Sequence, residues 1–514
     1  MTRQHHPNPA ATAKYETPIN PQTEPRASAL AQSAAFIRQY YWRLLAASAA
    51  LLVPCFWHRE IAAGDLGSHT YNAWLAQLIE RGQAPGLWLA PRWNNVLFDL
   101  LLDFLGRFVS LHAAEKIAVS LAVLIFFWGM FAFVCAATGR APWLLCPCLA
   151  MFAYGYSFQM GFLNFCISLG LAFFGVALVW RGRRWERLIP VALAPLIMLA
   201  HPLGIAWLAG ASAYVALAQA IPRRFHIVLL AASGLTLFAA HYFFWHHFVV
   251  MAQPERFYSF LGADQLLLYG ARYEIPEFAL LIFVFLAFTA DFFARPWGRF
   301  RWADFNLPLQ LYVVVCLAVV LLPDAILFPH QPAALALLTE RLTSVSAALI
   351  VCLLGALQPR RWHLHACGAI ATIFFAFLYQ DTAVINRMEA QAEQLVHTVP
   401  PGSRILATIK PPFPGARIPV QHIADRACVA RCFSYGNYEP ASAQFRVRVT
   451  PGSPYAMFAS ASTAAMEDGS YQVRPEDLPA YQLYQCSADG QQLCIRPLVA
   501  GERNDRAGVH PDDE

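Results

Sequence analysis

Residues 117–137, IAVSLAVLIFFWGMFAFVCAA, form an apolar run that a single serine interrupts. A helix needs about 20 apolar residues to cross the hydrocarbon core of a bilayer. The whole chain shares this character, because it is 58% hydrophobic and only 13% charged over 514 residues. Such a composition excludes an ordinary soluble enzyme and indicates a membrane protein. Nucleic acid is not an expected partner, since the net charge of +5 is small.

Similar apolar runs recur along the chain, and about eleven of them are predicted to span the membrane. The predicted fold class is therefore a polytopic α-helical membrane protein with about 11 transmembrane helices. Three of the runs, 142–157, 187–200 and 203–220, are short or are joined by almost no loop. The predicted spans, starting with the run quoted above, lie near 113–137, 42–57, 142–157, 160–180, 187–200, 203–220, 225–249, 276–293, 305–322, 342–357 and 363–380.

Alternate connections between the spans carry arginine. A cytoplasmic N-terminus places all of these connections in the cytoplasm, as the positive-inside rule requires. The expected location is the cytoplasmic (inner) membrane, with the N-terminus in the cytoplasm and the C-terminus outside it. The arginine-bearing connections lie at Arg140, 181–187, 222–224, 295–302 and 358–363.

Three domains are predicted from shifts in composition. Residues 1–38 are rich in Pro, Thr, Gln and Ala and are expected to form a disordered cytoplasmic tail. Residues 39–380 form the transmembrane domain, with a large first outer loop over 58–112. Residues 381–514 contain no membrane-length apolar run, and we expect a small extracytoplasmic α/β domain there.

Local patterns predict the elements of that C-terminal domain. The amphipathic spacing over 384–399 favours a short helix beside the membrane. The β-branched or alternating runs 404–409 and 444–449 favour strands.

Four of the twelve cysteines, Cys428, Cys432, Cys486 and Cys494, fall in the C-terminal domain. Outside the cytoplasm they are expected to form two disulfides. Four cysteines allow three pairings, one of which joins neighbours within ACVARC and within CSADGQQLC. A zinc site is the alternative, but these spacings differ from the tight pairs of a zinc ribbon.

The first outer loop opens with GDLGSHTYNAWLAQLIERG (64–82), which is too long and too patterned for a simple connector. Asp65 and His69 are four residues apart, so a helix places them on one face at the outer membrane surface. A carboxylate there is suited to act as a general base or to hold a divalent cation against a phosphate. The alternative is that Asp65 caps the helix and that His69 packs at the interface.

Arginines in predicted outer loops are candidates for binding a substrate phosphate, which Arg grips through paired hydrogen bonds. Arg341 is preferred because it follows the apolar outer segment 333–338. The alternative for each is an interface anchor or an ion-pair partner. The candidates are Arg92, Arg256, Arg272 and Arg341.

Polar residues near the outer ends of the spans complete the set of candidates. Asn164 follows a tight connection between two spans, and His201 precedes a proline at another. Both are candidates to line a substrate cavity. The alternatives are helix-to-helix hydrogen bonding and turn formation.

The predicted arrangement is a cytoplasmic N-terminus, one span, a long outer loop, many further spans and an outer domain. The loop has the sequence pattern D-x-x-x-H…A…L…I…G-x-x-P. Together these features resemble the GT-C superfamily of membrane glycosyltransferases. That group includes protein mannosyltransferase and aminoarabinose transferase relatives. The resemblance implies sugar transfer from a polyprenyl-phosphate donor to an envelope glycan, lipid or protein acceptor. It also implies that Asp65 is the base or a ligand of Mg²⁺ or Mn²⁺, with His69 assisting. In the best-known members an Asp-Glu pair often stands at this point, whereas Leu66 follows Asp65 here.

Two other classes of function remain open on sequence alone. A transporter or flippase of a lipid-linked or amphipathic molecule would explain polar residues inside the spans, although paired halves with broken helices are not found. A non-catalytic envelope assembly protein would use the outer domain to bind a partner.

Overall fold

The computed structural model describes residues 28–252, 259–294, 302–329, 334–357, 359–442 and 444–504, and helices dominate this part of the chain. The predicted site residue Arg256 lies outside the described residues, as does most of the connection 295–302. The α-helices are α1 (Ala29–Phe56), α2 (Leu66–Glu80), α3 (Leu97–Gly106), α4 (Leu111–Thr138), α5 (Cys146–Ala153), α6 (Tyr156–Gln159), α7 (Leu163–Arg181), α8 (Ile189–Ala200), α9 (Pro202–Ala220), α10 (His226–His247), α11 (Glu274–Ala294), α12 (Trp302–Leu321), α13 (Leu338–Ala356), α14 (Arg361–Val396), α15 (Ile423–Cys428), α16 (Tyr438–Ser442) and α17 (Ser460–Asp468).

Strands are short and lie mainly in the C-terminal third of the chain. A four-stranded sheet has the order β5-β4-β7-β8, with β4 parallel to both of its neighbours and β8 antiparallel to β7. The remaining strands form the two-stranded pairs β1-β6 and β2-β3. The strands are β1 (Leu87–Leu89), β2 (Val249–Met251), β3 (Ala325–Leu327), β4 (Arg404–Thr408), β5 (Phe433–Ser434), β6 (Val447–Val449), β7 (Ala480–Gln485) and β8 (Leu493–Pro497).

Seven helices in the described part of the chain are long and apolar enough to cross a membrane, which supports a multi-pass membrane protein. They are α4, α7, α9, α10, α11, α13 and α14, each of which matches a predicted span.

The other four predicted spans, 42–57, 142–157, 187–200 and 305–322, form helices that are shorter or less apolar. The run 142–157 contains only the eight residues of α5 and the first residues of α6, because Pro147 stands at the start of α5 and Gly155 follows it. The run 187–200 contains the twelve residues of α8, which end directly before Pro202.

The first helix begins at Ala29, so the predicted disordered tail over 1–38 is wrong for its last ten residues. The side chain of Ser28 caps the helix by accepting a hydrogen bond from the N–H of Ala31. The backbone N–H groups of Ala29 and Leu30 donate to the Glu186 carboxylate at 3.0 and 2.8 Å. The Glu186 carboxylate, which is distant in sequence, thus stabilises the positive N-terminal end of α1. The helix can therefore begin before its apolar stretch.

The last membrane helix continues into the C-terminal region without a break. α14 is 36 residues long and crosses the predicted boundary at 380. The short helix predicted over 384–399 is therefore its C-terminal end, which buries Ile385, Met388 and Val396. Because α14 is continuous, it fixes the position of the C-terminal region relative to the apolar helices.

The C-terminal region contains the predicted strands and disulfides. The strand predicted over 404–409 is β4, and that over 444–449 is shortened to β6. The disulfides Cys428–Cys432 and Cys486–Cys494 are both present, which confirms the pairing of neighbours.

The first loop and the C-terminal region pack together as one unit. β1 from the loop pairs antiparallel with β6, with Leu87 opposite Val449. α2 packs so closely on the start of α15 that a Cβ at Gly67 would lie 2.2 Å from the carbonyl oxygen of His422. Glycine is required at this contact because any larger residue would separate the two segments.

Candidate functional site

The Asp65 side chain is presented by a close contact between two loops. Its backbone N–H donates to the carbonyl of Met160 at 3.0 Å, and Gly64 donates to that of Gln159 at 2.6 Å. Gly161 has φ +86° and lies so near that a Cβ there would be 2.6 Å from the Asp65 nitrogen. The segment between α6 and α7 therefore holds Asp65 through its backbone and leaves the carboxylate available.

The structure does not support the capping role considered for Asp65. Asp65 is the N-cap residue of α2, but its backbone is helical and its side chain makes no capping hydrogen bond. The side chain is 22% exposed. An incompletely buried carboxylate without a structural hydrogen bond at this position is suited to meet a substrate.

One face of α2 carries four polar residues at helical spacing: Asp65, Ser68, His69 and Asn72. The expectation that Asp65 and His69 share a face is confirmed. Ser68, His69 and Asn72 are all buried, so this polar face points into the protein. Buried polar side chains need partners, and the C-terminal region supplies most of them.

His69 forms a hydrogen bond through Nδ1 to Asp99 Oδ1 at 2.7 Å. Asn164, predicted to line a cavity, instead donates through Nδ2 to Asp99 Oδ2 at 3.1 Å and accepts from the N–H of Phe98 at 2.7 Å. Glu439 Oε1 from α16 lies 3.8 Å from the same His69 nitrogen. Asn164 thus holds Asp99 in place, which gives it a positioning role within the cluster.

Electrostatics keep the His69 imidazole of this cluster positively charged at neutral pH. Burial disfavours the imidazolium of His69, but the Asp99 and Glu439 carboxylates outweigh it and raise its pKa to about 9. Burial also raises the pKa of Glu439, with the charge of His69 opposing the shift. The three side chains form a compact group of one imidazole and two carboxylates.

A second imidazole, from the C-terminal region, faces Asp65 directly. His422 Nε2 lies 3.7 Å from Asp65 Oδ1, and its Nδ1 is bonded to Asp425 Oδ2 at 2.7 Å. Asp425 also accepts hydrogen bonds from Ser434 Oγ and, at 3.1 Å, from Asn437 Nδ2. Burial lowers the pKa of His422, but Asp425 and Asp65 raise it to about 9. Asp65 therefore faces a positively charged imidazole at neutral pH.

Asn437 joins the two imidazole clusters. Its Nδ2 donates to Ser68 Oγ at 3.1 Å as well as to Asp425, and Ser68 donates to Glu439 at 3.2 Å. The ring of Tyr438 packs on His422 with centroids 5.3 Å apart. The C-terminal residues of this network, His422, Asp425, Asn437, Tyr438 and Glu439, were not predicted as site residues. They lie in short segments that contain no recognisable motif.

Arg341, the preferred phosphate ligand, lies near Asp65. Its guanidinium stacks 4.0 Å from the centre of the Phe162 ring and interacts electrostatically with Asp65. Nη1 donates to the carbonyl of Ala336 at 2.6 Å, whereas the buried Nε has no hydrogen-bond partner among the described residues. A buried N–H without a partner is rare in a folded protein and is available to an incoming anion.

Arg417 is a second cation in this area that was not predicted. Its guanidinium lies 4.5 Å from the centre of the Tyr156 ring, and Arg341 interacts electrostatically with the same tyrosine. The two arginines therefore flank Tyr156.

His201 is buried and interacts electrostatically with Arg341. Its Nδ1 accepts a hydrogen bond from the N–H of Leu203 at 3.1 Å, so it caps α9 as the turn alternative expected. Its ring contacts Phe165 edge-on, with centroids 5.6 Å apart. His201 therefore interacts electrostatically with Arg341 and also caps the turn at the start of α9.

Of the other predicted phosphate ligands, Arg92 shares with Arg341 a buried Nε without a hydrogen-bond partner among the described residues, whereas Arg272 is paired. Arg272 forms an ion pair with Asp381 and donates to the carbonyl of Phe377 at 3.1 Å, which makes it an anchor for α14. The structure thus favours the ion-pair alternative for Arg272. Arg92 lies between β1 and α3, where its charge interacts with that of Arg448.

The candidate metal ligands in the described part of the chain do not include Asp65. His69, Asp99 and Glu439 each offer one ligand atom, and these atoms lie within 4.8 Å of one another. Asp65, the ligand that the resemblance implied, is not a member of this group. Comparison of the chain with protein-family models, curated proteins and solved structures gave no significant match.

Proposed function

We propose that this protein is a membrane glycosyltransferase of the GT-C type, which moves a sugar from a polyprenyl-phosphate donor to an acceptor on the outer face of the cytoplasmic membrane. The observation that carries the proposal is that the uncapped Asp65 carboxylate lies 3.7 Å from the imidazole of His422 and interacts electrostatically with the guanidinium of Arg341. A candidate base and a candidate phosphate ligand therefore belong to one charged group.

In the proposed reaction, an acceptor hydroxyl attacks the anomeric carbon of the donor sugar. Asp65 takes the proton of that hydroxyl as the new glycosidic bond forms. The bond between the anomeric carbon and the phosphate oxygen breaks, and polyprenyl phosphate leaves with the bonding electrons. Arg341 and Arg417 stabilise the negative charge on this leaving group.

The positively charged His422 has a supporting role. Its imidazolium lies 3.7 Å from the Asp65 carboxylate and adds positive charge to the site. Asp425 fixes the orientation of the imidazole through the 2.7 Å hydrogen bond to Nδ1.

The position of the site at helix ends supports a lipid-linked donor. Asp65 directly precedes α2, Phe162 directly precedes α7, and Arg341 lies in the first turn of α13. Both α7 and α13 are long and apolar enough to span a membrane. A lipid headgroup at the surface would reach these residues while its chain stays in the hydrocarbon layer.

Eleven spans, a cytoplasmic N-terminus and an outer C-terminal region remain part of this proposal. The arginine-bearing connections support the orientation through the positive-inside rule. The two disulfides support an oxidising compartment for the C-terminal region.

The position of the polar cluster favours a transferase over a transporter or flippase. A transporter typically binds its substrate near the middle of the membrane, at broken helices. Here Asp65, His422 and Arg341 lie at helix ends and in the region that the first loop forms with the C-terminal segments. A non-catalytic assembly protein would not require the Asp65 carboxylate, so the test below separates it from an enzyme.

The test replaces Asp65 and follows the unused donor. A deletion strain is complemented with the wild-type protein, with Asp65→Asn or with Asp489→Asn, whose exposed carboxylate makes only local contacts. Lipid extracts are then analysed by mass spectrometry for polyprenyl-phosphate sugars. We expect the same lipid-linked sugar to accumulate in the deletion strain and with Asp65→Asn, but not with the wild type or Asp489→Asn. Full complementation by Asp65→Asn at equal abundance would remove the proposal.

A further inference from the structure

We propose that His69, Asp99 and Glu439 form a binding site for one transition-metal dication, Zn²⁺ or Mn²⁺, that joins the first loop to the C-terminal region. The three residues come from α2, α3 and α16. The site goes beyond glycosyl transfer, because the cation would hold two distant parts of the chain together whatever reaction occurs at Asp65.

The spacing of the three ligand atoms fits a metal. His69 Nδ1 lies 2.7 Å from Asp99 Oδ1 and 3.8 Å from Glu439 Oε1. Ligands at about 2.0–2.2 Å from a metal stand roughly 3–3.5 Å from each other in tetrahedral or octahedral geometry. These two observed distances bracket this range, and all three ligand atoms lie within 4.8 Å of one another.

The charge of the group also favours a dication. The side chains of His69, Asp99 and Glu439 are 6%, 13% and 3% exposed. Two ionised carboxylates held together away from water repel each other unless a cation lies between them. A dication bound to a neutral imidazole neutralises both carboxylates.

The ligand types restrict the choice of ion. Imidazole suits Zn²⁺ and other transition metals, whereas carboxylate oxygens suit Mn²⁺ and also accept Zn²⁺. Mg²⁺ and Ca²⁺ prefer sites built from oxygen alone. One nitrogen and two oxygens therefore favour Zn²⁺ or Mn²⁺, with the remaining positions open to water.

Neighbouring side chains support the ligands as they do in known metal sites. Asn164 donates to the second oxygen of Asp99 at 3.1 Å, and Ser68 donates to Glu439 at 3.2 Å. Asn72, one turn beyond His69 on the same face, donates to Ser68 Oγ at 3.1 Å, while its own buried Oδ1 lacks a partner among the described residues. Asn72 is only 4% exposed.

The second imidazole cluster provides a matched comparison. His422 binds Asp425 through Nδ1, as His69 binds Asp99. Ser434 and Asn437 donate to the two oxygens of Asp425, and the nearby Asp65 faces the opposite nitrogen of the ring. Three ligand atoms therefore do not converge at His422, and only the His69 group meets this condition in the part of the chain that the structure describes.

The test measures metal binding by the full-length protein in detergent. After treatment with EDTA and removal of the chelator, Zn²⁺ or Mn²⁺ is titrated by calorimetry into the wild type, Glu439→Gln, Asp99→Asn and the control Asp425→Asn. We expect one equivalent to bind to the wild type and to Asp425→Asn. We expect at least 100-fold weaker binding in Glu439→Gln and Asp99→Asn, together with loss of the metal-dependent rise in Tm.

Two further measurements keep the outcome clear. X-ray absorption of the Zn²⁺-loaded wild type should show one imidazole nitrogen and carboxylate oxygens around the ion, and this needs no variant. Asp65→Asn should bind metal like the wild type, so failure of the metal site and failure of glycosyl transfer are distinguishable. Equal affinity in the wild type and Glu439→Gln, or a zinc ion without imidazole, would show that the three residues form only an ion-paired cluster.

Discussion

The imidazole Nε2 of His422 lies 3.7 Å from the carboxylate of Asp65, although one residue precedes the second helix and the other lies in the C-terminal region. This contact makes the C-terminal region part of the proposed active site. In the proposed reaction, that region therefore takes part in catalysis as well as in binding.

His422→Gln should lower the rate of sugar transfer about tenfold, which corresponds to roughly 1.4 kcal/mol of lost charge interaction. Because the pKa of His422 is raised to about 9, the imidazolium is lost as the pH rises through that value, and His422→Gln should remove the corresponding alkaline limb of the pH–rate profile. The profile is measured with membranes of matched protein content. His397→Gln, which changes an exposed histidine, is the control. An unchanged alkaline limb in His422→Gln would contradict the assigned role.

Gly67→Ala should disrupt the contact between α2 and the start of α15. The added Cβ would lie 2.2 Å from the carbonyl oxygen of His422, so the two backbones must separate. We expect a loss of about 1–3 kcal/mol in stability and a larger loss of activity. Gly210→Ala, also within a helix but with nothing within 4 Å of its Cβ, is the matched control. Thermal unfolding and transfer assays check both, and equal behaviour of the two variants would refute the predicted effect.

Arg341→Gln should raise the KM for the lipid donor about 10- to 100-fold, the range of 1.5–3 kcal/mol that hydrogen bonds to charged groups contribute. Arg341→Lys should recover part of this loss, because Lys restores the charge without the paired hydrogen bonds. Arg272→Gln serves as a contrast, since Arg272 pairs with Asp381 and should affect stability instead. A donor KM that does not respond to Arg341→Gln would exclude it as the phosphate ligand.

Stability should fall as the pH rises from about 6.5 to 9. His69 and His422 have pKa values raised from 6.5 to about 9 in the folded protein. Their stabilisation is therefore complete below the unfolded pKa of 6.5 and is lost as the pH passes through about 9, by roughly 3 kcal/mol for each imidazole. Tm is measured against pH in the presence of EDTA. Both His69→Gln and His422→Gln should flatten the curve, and a curve that rises over this range would contradict the assignment.

Four cysteines should be protected from alkylation in protein taken directly from cells. Cys428–Cys432 and Cys486–Cys494 are bonded in the structure, and they form in cells only if the C-terminal region faces an oxidising compartment. Mass spectrometry after denaturing alkylation should show eight labelled cysteines before reduction and twelve after it. Twelve labelled cysteines before reduction would place this region in the cytoplasm. Reduction itself should cost about 2–3 kcal/mol for each of these short loops.

Several features could be predicted from the sequence because their causes are local. The seven helices long and apolar enough to span a membrane are visible as uninterrupted apolar runs. The shared face of Asp65 and His69 follows from helical spacing, and Ser68 and Asn72 complete the same pattern, so the polar face of α2 was accessible to sequence reasoning. The glycines at 64 and 67 were a further signal of close backbone contact beside Asp65.

Other features depended on contacts between distant segments. The helical start at Ala29 depends on Glu186, and the roles of Asn164 and Arg272 depend on Asp99 and Asp381. No local pattern encodes such partners, because each side chain is placed by a different part of the fold.

Sequence patterns alone predicted a multi-pass membrane protein, paired C-terminal cysteines and a polar helix face that begins at Asp65. These properties arise from apolar length, cysteine spacing and helical periodicity, which act over a few residues or turns. The three-dimensional fold was needed to show that His422 meets Asp65, that Glu439 joins His69 and Asp99, and that Arg417 lies against Tyr156. These groups converge because β1 pairs with β6 and α2 packs on α15, and such long-range packing brings together residues whose separation along the chain carries no pattern.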